Sequence, residues 1–150
     1  MSWNNLRKGR FSQEGGEYFI TFTTFQRQEL FNDFELAKIF CQQIARNEQA
    51  CNCCWSTWVL MPDHFHGLLR LESPNTDLST AVGKLKGASA YLINKYKKQS
   101  GKVWQPAFYD KAVLHEASRI EIARYIVANP LRAKLTQTIK NYPFWDSEFL

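Results

Sequence analysis

The order of elements written into this 150-residue sequence predicts one α+β domain: a ferredoxin-like antiparallel sheet packed with helices and completed by a further helix near the C-terminus. Three observations predict it. Segments dense in β-branched and aromatic residues alternate with stretches of helical periodicity in the order strand, helix, strand, strand, helix, strand, helix. The length suits one hydrophobic core and is short for two. No internal repeat, low-complexity stretch or Pro/Gly/Ser-rich linker interrupts it, so residues 1–150 read as a single domain.

Each element has its own local cause. Tyr18 to Phe25 is rich in aromatic and β-branched residues and follows Gly15-Gly16, which marks it as a strand. Asn32 or Asp33 then caps a helix whose apolar positions Leu36, Ile39, Phe40 and Ile44 recur at helical spacing. Cys53 to Leu60 and His64 to Leu71 are strand-like runs on either side of the turn chemistry in Met61-Pro62-Asp63, and together predict a hairpin. A long helix is expected over about Leu78 to Gln99. Its apolar face carries Leu85, Leu92, Ile93 and Tyr96, and its polar face carries Lys84, Tyr91, Lys95 and Lys98. After Ser100-Gly101 a fourth strand is expected at roughly Ala107 to His115. Ser118-Arg119-Ile120-Glu121 has the form of a capping box opening a last helix, which should stop near Asn129 because Pro130 disfavours helical geometry in the residue before it.

The aromatic content, eleven Phe, six Tyr and five Trp, argues for a packed aromatic core rather than disorder. Nineteen Lys and Arg against fourteen Asp and Glu give a net charge of +5, and the placement is uneven. Between Asp77 and Asp110 there is no acidic residue, while Lys84, Lys86, Lys95, Lys97, Lys98 and Lys102 all fall there. Such a field favours a polyanionic partner, though a solvated helix face reads the same way from charge alone. No run approaches a membrane span and the first residues lack the apolar centre of a signal peptide, so a cytoplasmic protein is expected. Cys41, Cys51, Cys53 and Cys54 lack the second ligand pair of a zinc site and are expected to be reduced thiols.

Two groups of residues could carry chemistry. Alternate side chains of a strand share a face, so His64 and His66 point the same way and could chelate one divalent ion through neutral ring nitrogens. Tyr125 and Asn129 are four apart on the last helix and present a hydroxyl and an amide oxygen side by side; the amide is a plausible third ligand for Mg²⁺ or Mn²⁺. Taken alone, each pattern has an ordinary structural explanation. Paired strand histidines are often incidental, and the stripe Ile122, Tyr125, Ile126 usually means core.

Taken together, these residues resemble a family. Trp58-Val59-Leu60-Met61-Pro62-Asp63-His64-Phe65-His66 resembles the His-hydrophobe-His motif of the single-tyrosine transposases, and Tyr125-Ile126-Val127-Ala128-Asn129-Pro130 resembles their tyrosine helix. Between them, Trp104-Gln105-Pro106-Ala107-Phe108-Tyr109-Asp110 is similar to a segment of the REP-associated tyrosine transposases, as is the later Tyr142-Pro143. The likeness runs from the Tyr18 strand to the C-terminus. It implies a nuclease acting on hairpin-forming single-stranded DNA, with His64 and His66 as metal ligands and Tyr125 as nucleophile on a catalytic C-terminal helix. Asn129 matches a position where sister transposases place a Gln ligand, with a reach shorter by one methylene.

The chemistry expected of this set is an exchange of phosphodiesters. The ion polarises the scissile phosphate, and Tyr125 displaces the 3′ oxygen to leave a 5′-phosphotyrosine. A free phenol has a pKa of about 10, so the site has to favour the phenolate, through the cation or a neighbouring base such as His115. Lys84, Lys86, Lys95, Lys98, Arg7, Lys8 and Arg10 are candidates for phosphate contacts, and Tyr91 and Trp104 for stacking on unpaired bases. Tyr91, set among lysines, is the rival nucleophile. Two other readings remain open: a hairpin-binding module that no longer cuts, and a phosphoesterase in which water attacks. Monomer and homodimer are equally compatible with the sequence.

Overall fold

The computed structural model describes residues 15–150. The candidate contacts at Arg7, Lys8 and Arg10 lie outside the described residues. Strand β1 (Glu17–Thr23) is followed by two short 3-10 turns and helix α1 (Phe34–Cys51), which Asp33 caps by accepting from the Glu35 amide. The hairpin β2 (Cys53–Leu60) and β3 (His64–Leu71) comes next, with bounds that coincide with the expected ones. Helix α2 (Leu78–Lys97) is capped by Asp77 and ends on Lys98 in the left-handed region. Then follow β4 (Tyr109–Val113), α3 (Glu116–Val127), the single turn α4 (Asn129–Arg132) and β5 (Trp145–Ser147).

The five strands form one antiparallel sheet in the order β4-β1-β3-β2-β5, so the expected α+β fold stands. Placing β3 at the centre follows from its sequence: Phe65, Leu68, Leu69 and Leu71 are fully buried, and a strand buried on both faces belongs in the middle. The two faces carry different layers. Tyr18, Ile20, Phe22, Phe65 and Leu69 point towards α1 and α2 and meet Phe31, Phe40, Trp55 and Trp104 in the main core. Val59, Met61 and Leu68 point the other way and are covered by Ala123 and Ile126 of α3. Strand β2 serves both layers because a bulge between Trp55 and Thr57 shifts its alternation by one residue, putting Trp55 and Leu60 on the same side.

Gly67 marks a close approach. A Cβ there would lie 2.7 Å from the Trp55 ring, so glycine lets the indole pack flat on the central strand.

Three expectations are corrected. The capping-box sequence at Ser118 does not open the last helix. It begins at Glu116 with His115 as its N-cap, and Arg119 in its first turn is held by an ion pair to Glu17 of β1. The last helix does stop near Asn129, at Val127, but not for the expected reason: Pro130 occupies the first turn of α4, where its missing N–H costs nothing, and Asn129 opens that second short helix. Strand β5 was not expected at all.

Cys51 and Cys53 are buried thiols and Cys41 and Cys54 half-buried ones; burial above all pushes Cys41, Cys53 and Cys54 up to about 12. Among the described residues no helix is long and apolar enough to cross a membrane.

Candidate metal and tyrosine site

The register of the sheet assembles the site on the face covered by α3. His64 and His66 project from β3 on that side, their ring centroids 4.7 Å apart, while Phe65 between them is sealed in the main core. Thr21 of β1 is the cross-strand partner of His66, and its Oγ1 lies 2.7 Å from His66 Nδ1. Asp63, the last residue of the β2–β3 turn, has Oδ1 2.6 Å from His64 Nδ1, and its other oxygen accepts from Arg27 Nε at 3.2 Å. Burial pushes the Asp63 carboxyl up, but the hydrogen bond from His64 and the charges of His64 and Arg27 outweigh it and hold the group below the usual value. An ionised Asp63 only accepts, so His64 Nδ1 carries the proton.

Both imidazoles are therefore held through Nδ1, and Nε2 of each is the atom a cation would use. A metal-binding histidine has this arrangement when its second nitrogen is oriented by an oxygen partner. Burial, then the neighbouring His64, then Arg132, drive His66 down to about 3, so it stays neutral and able to donate a lone pair at any physiological pH. Among the described residues no three His, Cys, Asp or Glu side chains gather at one point. Two imidazoles with oxygen ligands from an amide, water or phosphate would make a donor set able to hold a divalent ion together with substrate.

Tyr125 leaves α3 towards this pair. Its ring is half exposed and lies 6.2 Å from His66 and 6.1 Å from Phe19, edge on to both. Ile126 beside it is fully buried, so the stripe expected to bury the tyrosine turns its apolar residue inward and leaves the phenol out. Asn129 follows one helical turn later, half-buried at the start of α4. Tyr142 offers a contrast: burial chiefly pushes its hydroxyl up to about 12, and it donates to the Leu60 carbonyl at 2.5 Å.

Other expected site residues lie elsewhere. Trp104 is buried among Phe22, Phe31 and Phe40 and donates its indole N–H to Ser89 Oγ, so it cannot stack on a base. Lys86 is no phosphate contact: its ammonium donates to the carbonyls of Gln105 and Ala107 at 2.8 and 2.7 Å, above the Phe22 ring. Both corrections have one cause: the 103–108 segment folds back over α2 and closes the aromatic core. Lys84, Tyr91, Lys95 and Lys98 are exposed, but α2 packs on the opposite face of the sheet from the imidazoles, which leaves Tyr91 no route to them within this chain. His115 is exposed at the far end of α3, about 15 Å along the axis from Tyr125, and is not its base.

Four residues of the site went unread in the sequence. Asp63 and Thr21 orient the histidines, Arg27 braces Asp63, and Arg132 lies over the Tyr125 ring with its guanidinium carbon 3.9 Å from the centroid. An acidic residue directly before the first histidine was the one available signal.

The comparisons with known proteins agree with this fold. The chain is 21% identical over 137 residues to the REP-associated tyrosine transposase of Escherichia coli (strain K12), covering 90% of this chain and 78% of the relative. The structure of a REP-associated tyrosine transposase bound to a REP hairpin superposes with a TM-score of 0.79 at 20% identity, over 91% of this chain and 79% of that one. A candidate transposase of Deinococcus radiodurans R1 superposes with a TM-score of 0.53 at 24% identity, over 79% of this chain and 94% of that one. The model of the family described as "Transposase IS200 like" matches residues 12–129, which include His64, His66, Tyr125 and Asn129. The chain therefore belongs to the IS200-like transposase family, and its resemblance to the REP-associated branch stands.

Proposed function

We propose that this protein is a metal-dependent single-stranded DNA endonuclease and strand transferase that recognises hairpin DNA, in particular repetitive extragenic palindromes, and cuts it by attack of Tyr125 on phosphorus. One observation carries the reading: a half-exposed phenol stands beside two neighbouring imidazoles, each held at Nδ1 by an oxygen partner. Mg²⁺ or Mn²⁺ held by His64 and His66, with Asn129 as a further oxygen donor, would supply Lewis acidity towards a non-bridging phosphate oxygen.

The chain's own residues do the rest. Asp63 and Thr21 fix the two rings, so the substrate phosphate is oriented by groups that need not reorganise. Tyr125 gives up its proton, its Oη–P bond forms as the P–O3′ bond breaks, and the departing 3′ oxygen takes up a proton. The products are a 5′-phosphotyrosine and a free 3′ hydroxyl, and the reverse reaction on another strand completes a transfer without ATP. Because His66 and Tyr125 meet within one chain, we propose that each copy, alone or in a homodimer, uses its own tyrosine, and that it acts in the cytoplasm. Exposed Lys84, Lys95, Lys98 and Tyr91 are then left to grip a DNA segment away from the scissile phosphate.

The test is capture of a covalent protein–DNA adduct from a hairpin with a single-stranded tail in Mg²⁺ or Mn²⁺. The wild-type chain forms it, and Tyr125→Phe loses it by at least about 10³-fold while still binding the hairpin. Binding with no nicking by the wild type would favour the module that no longer cuts. Nicking that survives in Tyr125→Phe would favour attack by water.

A further inference from the structure

Arg132 closes helix α4 and turns back over α3, where it touches Tyr125 twice. One guanidinium nitrogen donates to the Tyr125 carbonyl at 2.7 Å, and the guanidinium carbon lies over the phenol ring, 3.9 Å from its centroid. The hydrogen bond alone would be an ordinary way to satisfy a carbonyl at a helix C-terminus. The ring contact is not required for that, and it puts a permanent positive charge on the one exposed tyrosine that stands beside the imidazoles. The same charge acts on His66, the imidazole whose ring meets the phenol. Arginine suits the position because its flat, delocalised cation stacks on an aromatic face and still presents further N–H donors to an anion.

Building on the function proposed above, we infer that Arg132 is the positioning residue for Tyr125: it pins the phenol ring against His66 and Phe19 and places a second cation beside the phosphate under attack. Two helical turns separate Tyr125 from Arg132, with the break at Ala128 and Pro130 in the first turn of α4 between them, so the long arginine side chain reaches back along the same side.

The experiment uses the full chain with 3-fluorotyrosine in all six tyrosine positions, the Tyr125 resonance being assigned with Tyr125→Phe. In Arg132→Gln the Tyr125 fluorine signal shifts, and the single-turnover rate of adduct formation at saturating hairpin DNA falls about 10²-fold. Hairpin affinity stays within about twofold, which separates the rate from binding. Arg132→Lys returns the charge without the flat face and recovers only part of the rate. An unmoved Tyr125 signal, an unchanged rate, or a loss that falls on affinity and spares the rate would overturn the inference, as would full recovery with lysine. A wild-type chain that binds the hairpin and forms no adduct sinks the tyrosine chemistry itself, whereas a normal adduct rate in Arg132→Gln sinks only the role of Arg132.

Discussion

The two faces of the sheet are built from the same strands and do opposite work. The face towards α1 and α2 is an aromatic lattice in which Phe22 and Phe40 lie within 4.8–6.3 Å of each other and of both Phe65 and Trp104, centroid to centroid. The face towards α3 buries a narrow strip, Val59, Met61, Leu68, Ala123 and Ile126, and beside it carries two half-buried imidazoles and a half-exposed phenol. Strand β3 alternates between them residue by residue. Its odd positions hold the fold, and its even positions His64 and His66 are thereby held rigid without contributing much to stability.

Substituting neighbours on β3 is the strongest way to break this contrast. Phe65→Ala empties a fully buried site ringed by Phe22, Phe40 and Trp55 and should cost about 3–5 kcal/mol, a large share of the stability of a domain this size. His64→Ala, one residue away and half-buried, should change stability by about 1 kcal/mol or less while abolishing the adduct. Urea unfolding of the two variants, alongside the cleavage assay, checks it. Equal losses of stability would show that the faces are not divided as described.

Acid should act on the open face first. His66 has a folded-state pKa of about 3, below the ordinary histidine value of about 6.5, so between these pH values the unfolded chain binds a proton that the folded chain refuses. Stability of the metal-free protein is therefore full above about pH 6.5 and declines as pH falls towards 3, by on the order of a few kcal/mol. Asp63, also held below its usual value, adds to the loss at the acid end. Melting temperatures against pH should show this slope, and His66→Gln should flatten it; a slope unchanged in that variant would place its origin elsewhere.

The contrast also explains what could be read in advance. Strands β2 and β3 were legible to the residue because apolar runs end sharply at Met61-Pro62-Asp63, α1 because a capping residue precedes helical periodicity, and α2 from its periodicity alone. Strand β5 was not, since Trp145-Asp146-Ser147 is too short for alternation and pairs with β2 only once the chain has passed over α3. In the site, His64, His66 and Tyr125 were legible as motifs. Thr21 and Arg132 were not, because one depends on cross-strand register and the other on a side chain reaching from α4 back to α3. Trp104 and Lys86 misled for a related reason. An aromatic and a lysine near a basic helix read as DNA contacts until the fold shows that they close the core.

A smaller effect is expected from the support of the metal ligands. Asp63→Asn keeps the shape of the side chain but removes the carboxylate that accepts from His64 Nδ1. Divalent-ion affinity, measured by calorimetry on the full chain, should fall about 10- to 100-fold, with melting shifted by no more than a few degrees. An unchanged affinity would mean that His64 is oriented without its neighbour.

The smallest predicted effect separates the two kinds of lysine on α2. Lys86→Met keeps the stem over Phe22 but removes the donors to Gln105 and Ala107, leaving two carbonyls to find other partners, and should cost about 1 kcal/mol of stability. Its hairpin affinity and salt dependence should match the wild type, because that ammonium is already committed to backbone. Lys95→Met, on the solvent face of the same helix, should leave stability unchanged and lower the slope of log affinity against log salt by about one if it meets a phosphate. A reversed pattern, with Lys86 governing the salt slope, would mean that the 103–108 segment opens when DNA binds and that the closed aromatic face takes part in recognition after all.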